Sequence, residues 1–140
     1  MTEKAKETAE ILNVSMEVIV SNENIDDIMV CALEGGINYW CNEAEVVGKY
    51  LGEFGSEQIS RGGVLKLYDS EEEKVYELTR EKFMNGLRTY LSAGNTGCLE
   101  IQRKNYGLPT GKLLVDTCNV DAGVADAIIQ YAVFNEIIYG

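Results

Sequence analysis

The sequence predicts an α+β fold in which helices pack on an antiparallel or mixed β-sheet. Residues 64–68 and 74–78 alternate apolar and polar side chains around the polar turn 69–73, and this arrangement is typical of a β-hairpin. Residues 79–91 follow directly, with apolar side chains at every third or fourth position, which indicates an amphipathic helix capped by Thr79. A hairpin and short connections favour antiparallel pairing over the long crossovers of a parallel sheet.

The remaining regular elements follow from the same periodicities. Residues 14–20 alternate as a half-buried strand does, and a helical pattern runs from Asn24 until Gly35 ends it. Two more strands are predicted at residues 98–102 and 113–115. The chain shows no repeat and no internal boundary, so residues 1–140 are predicted to form a single domain.

Two segments have weaker patterns. Glycines interrupt residues 39–55, and we interpret this stretch as a loop-rich excursion, with a short helix over residues 43–51 as the alternative. Residues 1–12 favour a helix but offer a thin apolar stripe, so they form a possible N-terminal helical arm. Such an arm would dock on another surface, for example that of a partner subunit. A mobile tail is the alternative.

Composition excludes several classes of function. The chain has 140 residues, 46% of them hydrophobic, which is enough to bury about two thirds of the unfolded surface. Its net charge of -11 at pH 7 repels polyanions, so no nucleic-acid polymer is expected as a partner. No apolar run approaches the ~18 residues that cross a bilayer, so no membrane association is expected.

The absence of histidine removes the common catalytic and metal-binding arrangements. Without imidazole there is no ordinary Ser-His or Cys-His nucleophile and no histidine metal ligand, and the usual phosphate-binding and hydrolase motifs are also missing. We therefore expect no catalytic residues, no metal and no cofactor. The four cysteines show neither close pairing nor C-x-x-C spacing, and the polar residues 1–12 do not resemble a signal peptide. A reducing cytoplasm is expected.

Two motifs stand out from this background. The first is Glu-Gly-Gly-Ile-Asn-Tyr-Trp-Cys at residues 34–41, in which a glycine pair precedes Tyr39 and the single tryptophan, Trp40. A helix C-cap followed by core aromatic residues explains it on local chemistry, and a binding site is the alternative. The second is the helical pattern that starts at Asp121, a good N-cap, where apolar residues occupy more than one stripe and predict burial on several sides.

The order of these motifs resembles the phage-encoded Thoeris anti-defence proteins, which are small sponges for the nucleotide messengers of bacterial immunity. The resemblance rests on residues 34–41, 82–91 and 116–140, about half of the chain. It implies an α+β fold, assembly through dimers into hexamers, and ligands held in pockets shared between subunits. It also implies that the protein works in the cytoplasm of the infected bacterial host.

A nucleotide ligand would need a flat face for its base and cationic groups for its phosphates. Phe83 is the candidate for stacking, although its place on the apolar stripe makes core packing the alternative. Asn95 could offer hydrogen bonds, and otherwise belongs to the turn that ends the helix. Arg61, flanked by Gly62 and Gly63, could meet a phosphate, and otherwise is an exposed loop arginine.

The remaining candidates lie in two other loops. Arg103 and Lys112 could supply positive charge from the connection between residues 102 and 113, although most such side chains are merely solvated. Tyr39 could line the same recess, whereas Trp40 fits better in the core.

These candidates lead to three functional hypotheses. The preferred one is a non-enzymatic binder that sequesters cyclic ADP-ribose-type messengers as a homo-oligomer, with a second site for cyclic oligonucleotides left open. A small metal-dependent nucleotide hydrolase would use carboxylates such as Glu34, Asp116, Asp121 or Asp126. An acidic protein-interaction inhibitor of a host enzyme would fit the charge, but it explains the glycine and aromatic motifs poorly.

Overall fold

A computed structural model describes residues 8–102 and 112–140 and shows a single α+β domain, which confirms the predicted class. The strands are β1 (Val18–Ile19), β2 (Cys41–Val46), β3 (Leu65–Asp69), β4 (Lys74–Leu78), β5 (Leu99–Ile101) and β6 (Leu113–Val115). The helices are α1 (Asn22–Cys31), α2 (Arg80–Ser92) and α3 (Ala122–Phe134). Short 3₁₀ turns lie at Gly55–Glu57 and Thr117–Asn119.

The strands form two separate three-stranded sheets, where the sequence suggested one. An antiparallel sheet has the order β2-β3-β4 and contains the predicted hairpin, with Leu65 opposite Leu78. The second sheet is mixed and has the order β1-β6-β5, in which β1 runs parallel to β6 and β5 runs antiparallel to it.

Two local predictions differ from the structure, and a third, the N-terminal arm, is described only in part. Cys41–Val46 is strand β2, with a bulge between Cys41 and Glu43, where a loop or short helix was expected. Its alternation is weak because half of its six residues are exposed and only Cys41 is buried. The strand predicted over residues 14–20 is reduced to the two residues of β1. Residues 8–12 of the possible arm form no helix, and residues 1–7 lie outside the described residues.

The helices begin where short polar side chains can bind their free amides. The Ser21 hydroxyl accepts from the Asn24 backbone N–H at 3.0 Å, which caps α1. The Thr79 hydroxyl accepts from the Lys82 N–H at 3.2 Å, and an oxygen of Asp121 accepts from the Val124 N–H at 2.8 Å. The predicted caps of α2 and α3 are therefore confirmed. Helix α1 continues as a wider π turn at Ala32–Gly36 before the chain turns.

Helix α3 lies at the centre of the domain, where it contacts α1, α2, β4 and the π turn. Its buried apolar residues are Ala125, Ile128, Ile129 and Ala132. The approach of α2 to α3 is close, because a Cβ built on Gly86 would lie 2.6 Å from the Ile128 carbonyl oxygen. The predicted burial of α3 on several sides is confirmed, and within the described chain it arises inside the domain core.

Candidate functional site

The glycine pair of the first motif allows the chain to pass directly over the first turn of α3. A Cβ built on Gly36 would lie 2.7 Å from the carbonyl oxygen of Ala122, which is closer than a side chain tolerates. Glycine is required here by the contact between two backbones, since the side chain of any other residue would push them apart. This contact brings Tyr39 and Trp40 beside Asp126 of α3.

Asp126 is the buried acceptor that joins the two sequence motifs. The Tyr39 hydroxyl donates to Oδ2 of Asp126 at 2.6 Å, and the Trp40 Nε1–H donates to Oδ1 at 2.8 Å. Gln130, one turn further along α3, donates from Nε2 to the same Oδ1 at 3.0 Å. Asp126 is 9% exposed, so these three donors replace the water that the carboxylate loses on folding.

The hydrogen bond to Asp126 affects the protonation of the Tyr39 hydroxyl. Burial, and then the hydrogen bond and the charge of Asp126, raise the pKa of the Tyr39 hydroxyl from 10.0 to about 12. The hydroxyl stays protonated at neutral pH and serves as a hydrogen-bond donor, which makes it a poor base or nucleophile. Its ring remains 50% exposed, so Tyr39 still presents an aromatic edge to solvent.

An aromatic cluster surrounds the indole of Trp40, which has no exposed surface. The ring of Phe134 lies 5.1 Å from it and the ring of Tyr139 stacks on it at 5.7 Å, measured between centroids. The Tyr139 hydroxyl donates to Oδ2 of Asp69 at 2.8 Å, and burial together with that carboxylate raises the pKa of Tyr139. The prediction that Trp40 belongs to the core is confirmed.

Three of the four carboxylates of the hydrolase hypothesis have structural roles, and the fourth, Glu34, is exposed. Asp121 caps α3, and Asp116 accepts hydrogen bonds from the Cys118 N–H at 3.1 Å and the Asn119 amide at 2.9 Å. Asp126 is occupied as described above, and every buried side-chain nitrogen and oxygen of the described residues has a hydrogen-bond partner. In the described part of the chain, no group of three or more Asp, Glu, Cys or His residues is placed to hold a metal ion.

Phe83 is buried in the core with no exposed surface, as the core-packing alternative predicted, and its stacking on a ligand stays a prediction. The reason is that α2 turns the stripe containing Phe83, Leu87 and Leu91 inward. The ring has no free face for a base while the helix is packed.

Arg61 is exposed, and its Nη2 pairs with Oε2 of Glu57 at 2.9 Å. No local pattern links Arg61 with Arg80, yet in the structure Arg80 contacts the turn that carries Arg61. Nη1 of Arg80 donates to the carbonyl oxygen of Ser60 at 2.9 Å and to the side chain of Asn22 at 2.9 Å. Both acceptors are neutral, and neither salt bridge found among the described residues involves Arg80. Its charge is therefore not matched by an adjacent carboxylate.

The other predicted site residues lie in separate places. Asn95 is exposed and donates to the carbonyl oxygen of Tyr90 at 3.0 Å, which closes the end of α2. Lys112 forms a salt bridge with Glu17 beside β1 and β6. Arg103 lies outside the described residues. Arg61, Asn95, Lys112 and Tyr39 bond to different partners, and none of three grooves, near the π turn, β3 and β1, is lined by more than one of them.

A groove between the π turn and β2 has a volume of about 560 Å³. Asn38, Asn42 and Glu43 supply its polar groups, and Leu33 and Ile37 supply apolar ones. None of the predicted site residues lines it, although Tyr39 is the next residue after Asn38. The groove is open and contains no basic side chain, so it does not offer the charge that a phosphate needs.

A loop at residues 47–54, which we call the apolar loop, projects large apolar side chains into solvent. The exposed members are Val47, Tyr50, Leu51 and Phe54, between 40% and 61% exposed. Two side chains that are buried or partly buried accept hydrogen bonds from the loop backbone. Gln58 accepts from the Leu51 N–H at 3.0 Å, and Glu57 accepts from the Phe54 N–H at 3.0 Å. The Phe54 amide and then Arg61 lower the pKa of Glu57, so its carboxylate remains ionised at neutral pH.

Comparisons with protein-family models, with curated protein sequences and with solved structures found no match. No helix of the described chain has the length and apolar composition needed to span a bilayer. Cys31, Cys41, Cys98 and Cys118 are all free thiols, and burial raises the pKa of Cys41 and Cys98, which makes both poor nucleophiles.

Proposed function

We propose that this protein binds cyclic ADP-ribose-type messengers without degrading them and so blocks immune signalling in the cytoplasm of an infected bacterial host. The resemblance of residues 34–41, 82–91 and 116–140 to the Thoeris anti-defence sponges supplies the ligand class. A protein of this kind acts stoichiometrically, so it needs tight binding and slow release of the messenger.

The observation that carries the proposal is the pairing of two arginines at the turn of residues 60–63. Arg80 is half-buried and donates a hydrogen bond to the Ser60 carbonyl oxygen. Ser60 is followed by Arg61 and then by Gly62, which has a φ of 85°. A glycine turn lets a phosphate approach the backbone, and two guanidinium groups nearby provide the charge. Arg61 is paired with Glu57, whereas Arg80 is in neither salt bridge of the described residues, so in our proposal Arg80 is the first cation that an anion meets at this turn.

The full proposed site is completed by a second subunit. One subunit separates Arg61 from Asn95, Lys112 and Tyr39, and the aromatic stacking partner predicted at Phe83 is buried. A pocket shared between subunits resolves this separation, and the exposed apolar loop is the surface through which we propose that subunits meet. A hexamer built from dimers follows from the resemblance.

Isothermal titration with cyclic ADP-ribose isomers tests the binding. We expect the wild-type protein to bind one isomer, and Arg80→Ala and Arg61→Ala to weaken it about 10- to 100-fold, the size of a lost charge-assisted hydrogen bond to phosphate. Arg88→Ala is the matched control, because Arg88 is exposed on α2 and bonds to the neighbouring Asn85. Equal affinity in all four proteins would overturn the site at Arg61 and Arg80.

The fate of the ligand separates binding from hydrolysis. After incubation and heat denaturation of the protein, we expect the messenger to be recovered intact, whether or not divalent metal is added. A cleaved product would move the protein to the class of hydrolases. Absence of nucleotide binding, together with capture of a host enzyme in a pull-down, would favour the acidic inhibitor instead.

A further inference from the structure

Residues 136–140, which we call the strap, follow α3 and fold back over Trp40. The helix ends at Asn135, whose φ of 63° places it in the left-handed region and reverses the chain. The strap has no helix or strand of its own. Its position is therefore set by the side chains that it contacts.

Gln130 binds the backbone of the strap with both ends of its amide group. Its Oε1 accepts from the N–H groups of Ile138 and Tyr139, both at 2.9 Å, and its Nε2 donates to the Tyr139 carbonyl oxygen at 3.1 Å. Gln130 is only 1% exposed. Its amide group satisfies the backbone N–H and C=O groups of the strap, which a neighbouring β-strand would otherwise do. The same Nε2 also donates to Asp126, which links the strap to Tyr39 and Trp40.

Tyr139 provides the second attachment. Its ring stacks on the indole of Trp40, with an angle of 19° between the planes, and its hydroxyl donates to Oδ2 of Asp69 at 2.8 Å. The other oxygen of Asp69 accepts from the N–H groups of Glu71 and Glu72 at 2.9 and 3.2 Å. The strap thereby ties the end of β3 to α3 through one aromatic side chain.

The outer side of the strap is open to water. Ile137 and Ile138 are 43% and 50% exposed, whereas Ile128 and Ile129 of α3 are completely buried. Segments with few buried apolar contacts open at a lower free energy than the core around them. Releasing the strap breaks the contacts made by Gln130 and Tyr139 and leaves the packing of α2 on α3 in place.

We propose that residues 136–140 form a latch that opens as a unit about Asn135 while the rest of the domain stays folded. In the closed position the latch covers Trp40 and holds the Asp126 network against the end of β3. In the open position the indole face, the Gln130 amide and one oxygen of Asp69 become accessible together. This inference does not depend on the proposed ligand.

Hydrogen exchange on the complete chain tests the latch. We expect the amides of Ile138 and Tyr139 to exchange through a local opening, at least tenfold faster after correction for intrinsic rates than those of Ile128 and Ile129. Tyr139→Phe removes the bond to Asp69 but keeps the aromatic ring, so it should speed exchange at 138 and 139 about tenfold further. Core exchange at Ile128 and Ile129 should change less.

Tyr68→Phe is the matched control, because it also removes a tyrosine-to-carboxylate hydrogen bond, the one to Glu45, and that bond does not involve Gln130 or the strap. It should change the exchange ratio between strap and core less than twofold. Trp40 is the single tryptophan, so acrylamide quenching of its fluorescence gives a second readout and should increase in Tyr139→Phe. Strap and core amides exchanging through one common opening in the wild-type protein, or equal acceleration in both variants, would overturn the latch.

Discussion

At the scale of single residues, Asp126 organises a helix whose composition is mainly apolar. Its carboxylate receives donors from Tyr39, Trp40 and Gln130, two of which come from a segment more than eighty residues earlier in the chain. A buried carboxylate is costly unless it is hydrogen-bonded, so this position is stable only in the complete fold. Asp126 thus links local helix formation to tertiary structure.

Replacing Asp126 should destabilise the protein strongly. Asp126→Ala removes the acceptor for the buried Trp40 N–H and for Gln130, and we expect a loss of about 3 kcal/mol in the free energy of unfolding. Urea denaturation followed by circular dichroism measures this loss. Asp121→Ala is the matched control on the same helix, since it removes only the N-cap and should cost about 1 kcal/mol. Equal costs in the two variants would show that the network adds nothing beyond a cap.

At the scale of elements, two glycines set how closely other segments approach α3. Gly36 brings the π turn onto the first turn of α3, and Gly86 brings α2 onto its middle. In both places a backbone carbonyl oxygen faces the glycine, so the neighbour has no flexible side chain that could move aside. The distance between these elements therefore depends on the lack of a side chain at Gly36 and Gly86 as much as on the apolar residues around them.

Gly86→Ala should destabilise the domain although alanine favours helix formation. The new Cβ would meet the Ile128 carbonyl oxygen at 2.6 Å and the Ala132 backbone at 2.7 Å, which forces the two helices apart. We expect a cost of about 1 to 3 kcal/mol, measured as a lower urea midpoint at an unchanged slope. Gly97→Ala is the control, because nothing lies within 4 Å of its added Cβ, and it should change stability by less than about 0.5 kcal/mol.

At the scale of the whole molecule, charge and exposed apolar surface act in opposite directions. A net charge of -11 keeps copies apart, while the apolar loop contains one lysine and one glutamate and so is locally neutral. Because the loop carries no net charge, self-association through it brings no like charges together within the loop. We therefore propose that the subunits associate through this loop.

Polar substitution in the apolar loop should break the proposed oligomer into smaller species. Tyr50→Ser combined with Phe54→Ser removes the two most exposed side chains of the loop, and we expect the molar mass from light scattering to fall below that of the wild-type assembly. Val75→Ser on β4 is the control, because Val75 is 51% exposed but lies on a strand outside the loop. A wild-type protein that is already monomeric, or a double variant that keeps the molar mass of the wild-type assembly, would contradict this interface.

The sequence alone determined the elements whose causes are local. Thr79 and Asp121 predicted the starts of two helices, and alternation around residues 69–73 predicted the hairpin, because caps and turns depend on neighbours a few residues away. The burial of α3 was also readable from its apolar composition. The ligand class stays a prediction, since it depends on a resemblance and not on geometry.

Only the tertiary structure decided which distant residues meet. It made Cys41–Val46 a strand by pairing it with β3, turned Phe83 into the core, and placed Arg80 beside the turn that carries Arg61. It also joined the glycine motif to α3 through Asp126. These contacts could not be read from the sequence, because periodicity reports the face on which a side chain lies and not the segment that packs against that face.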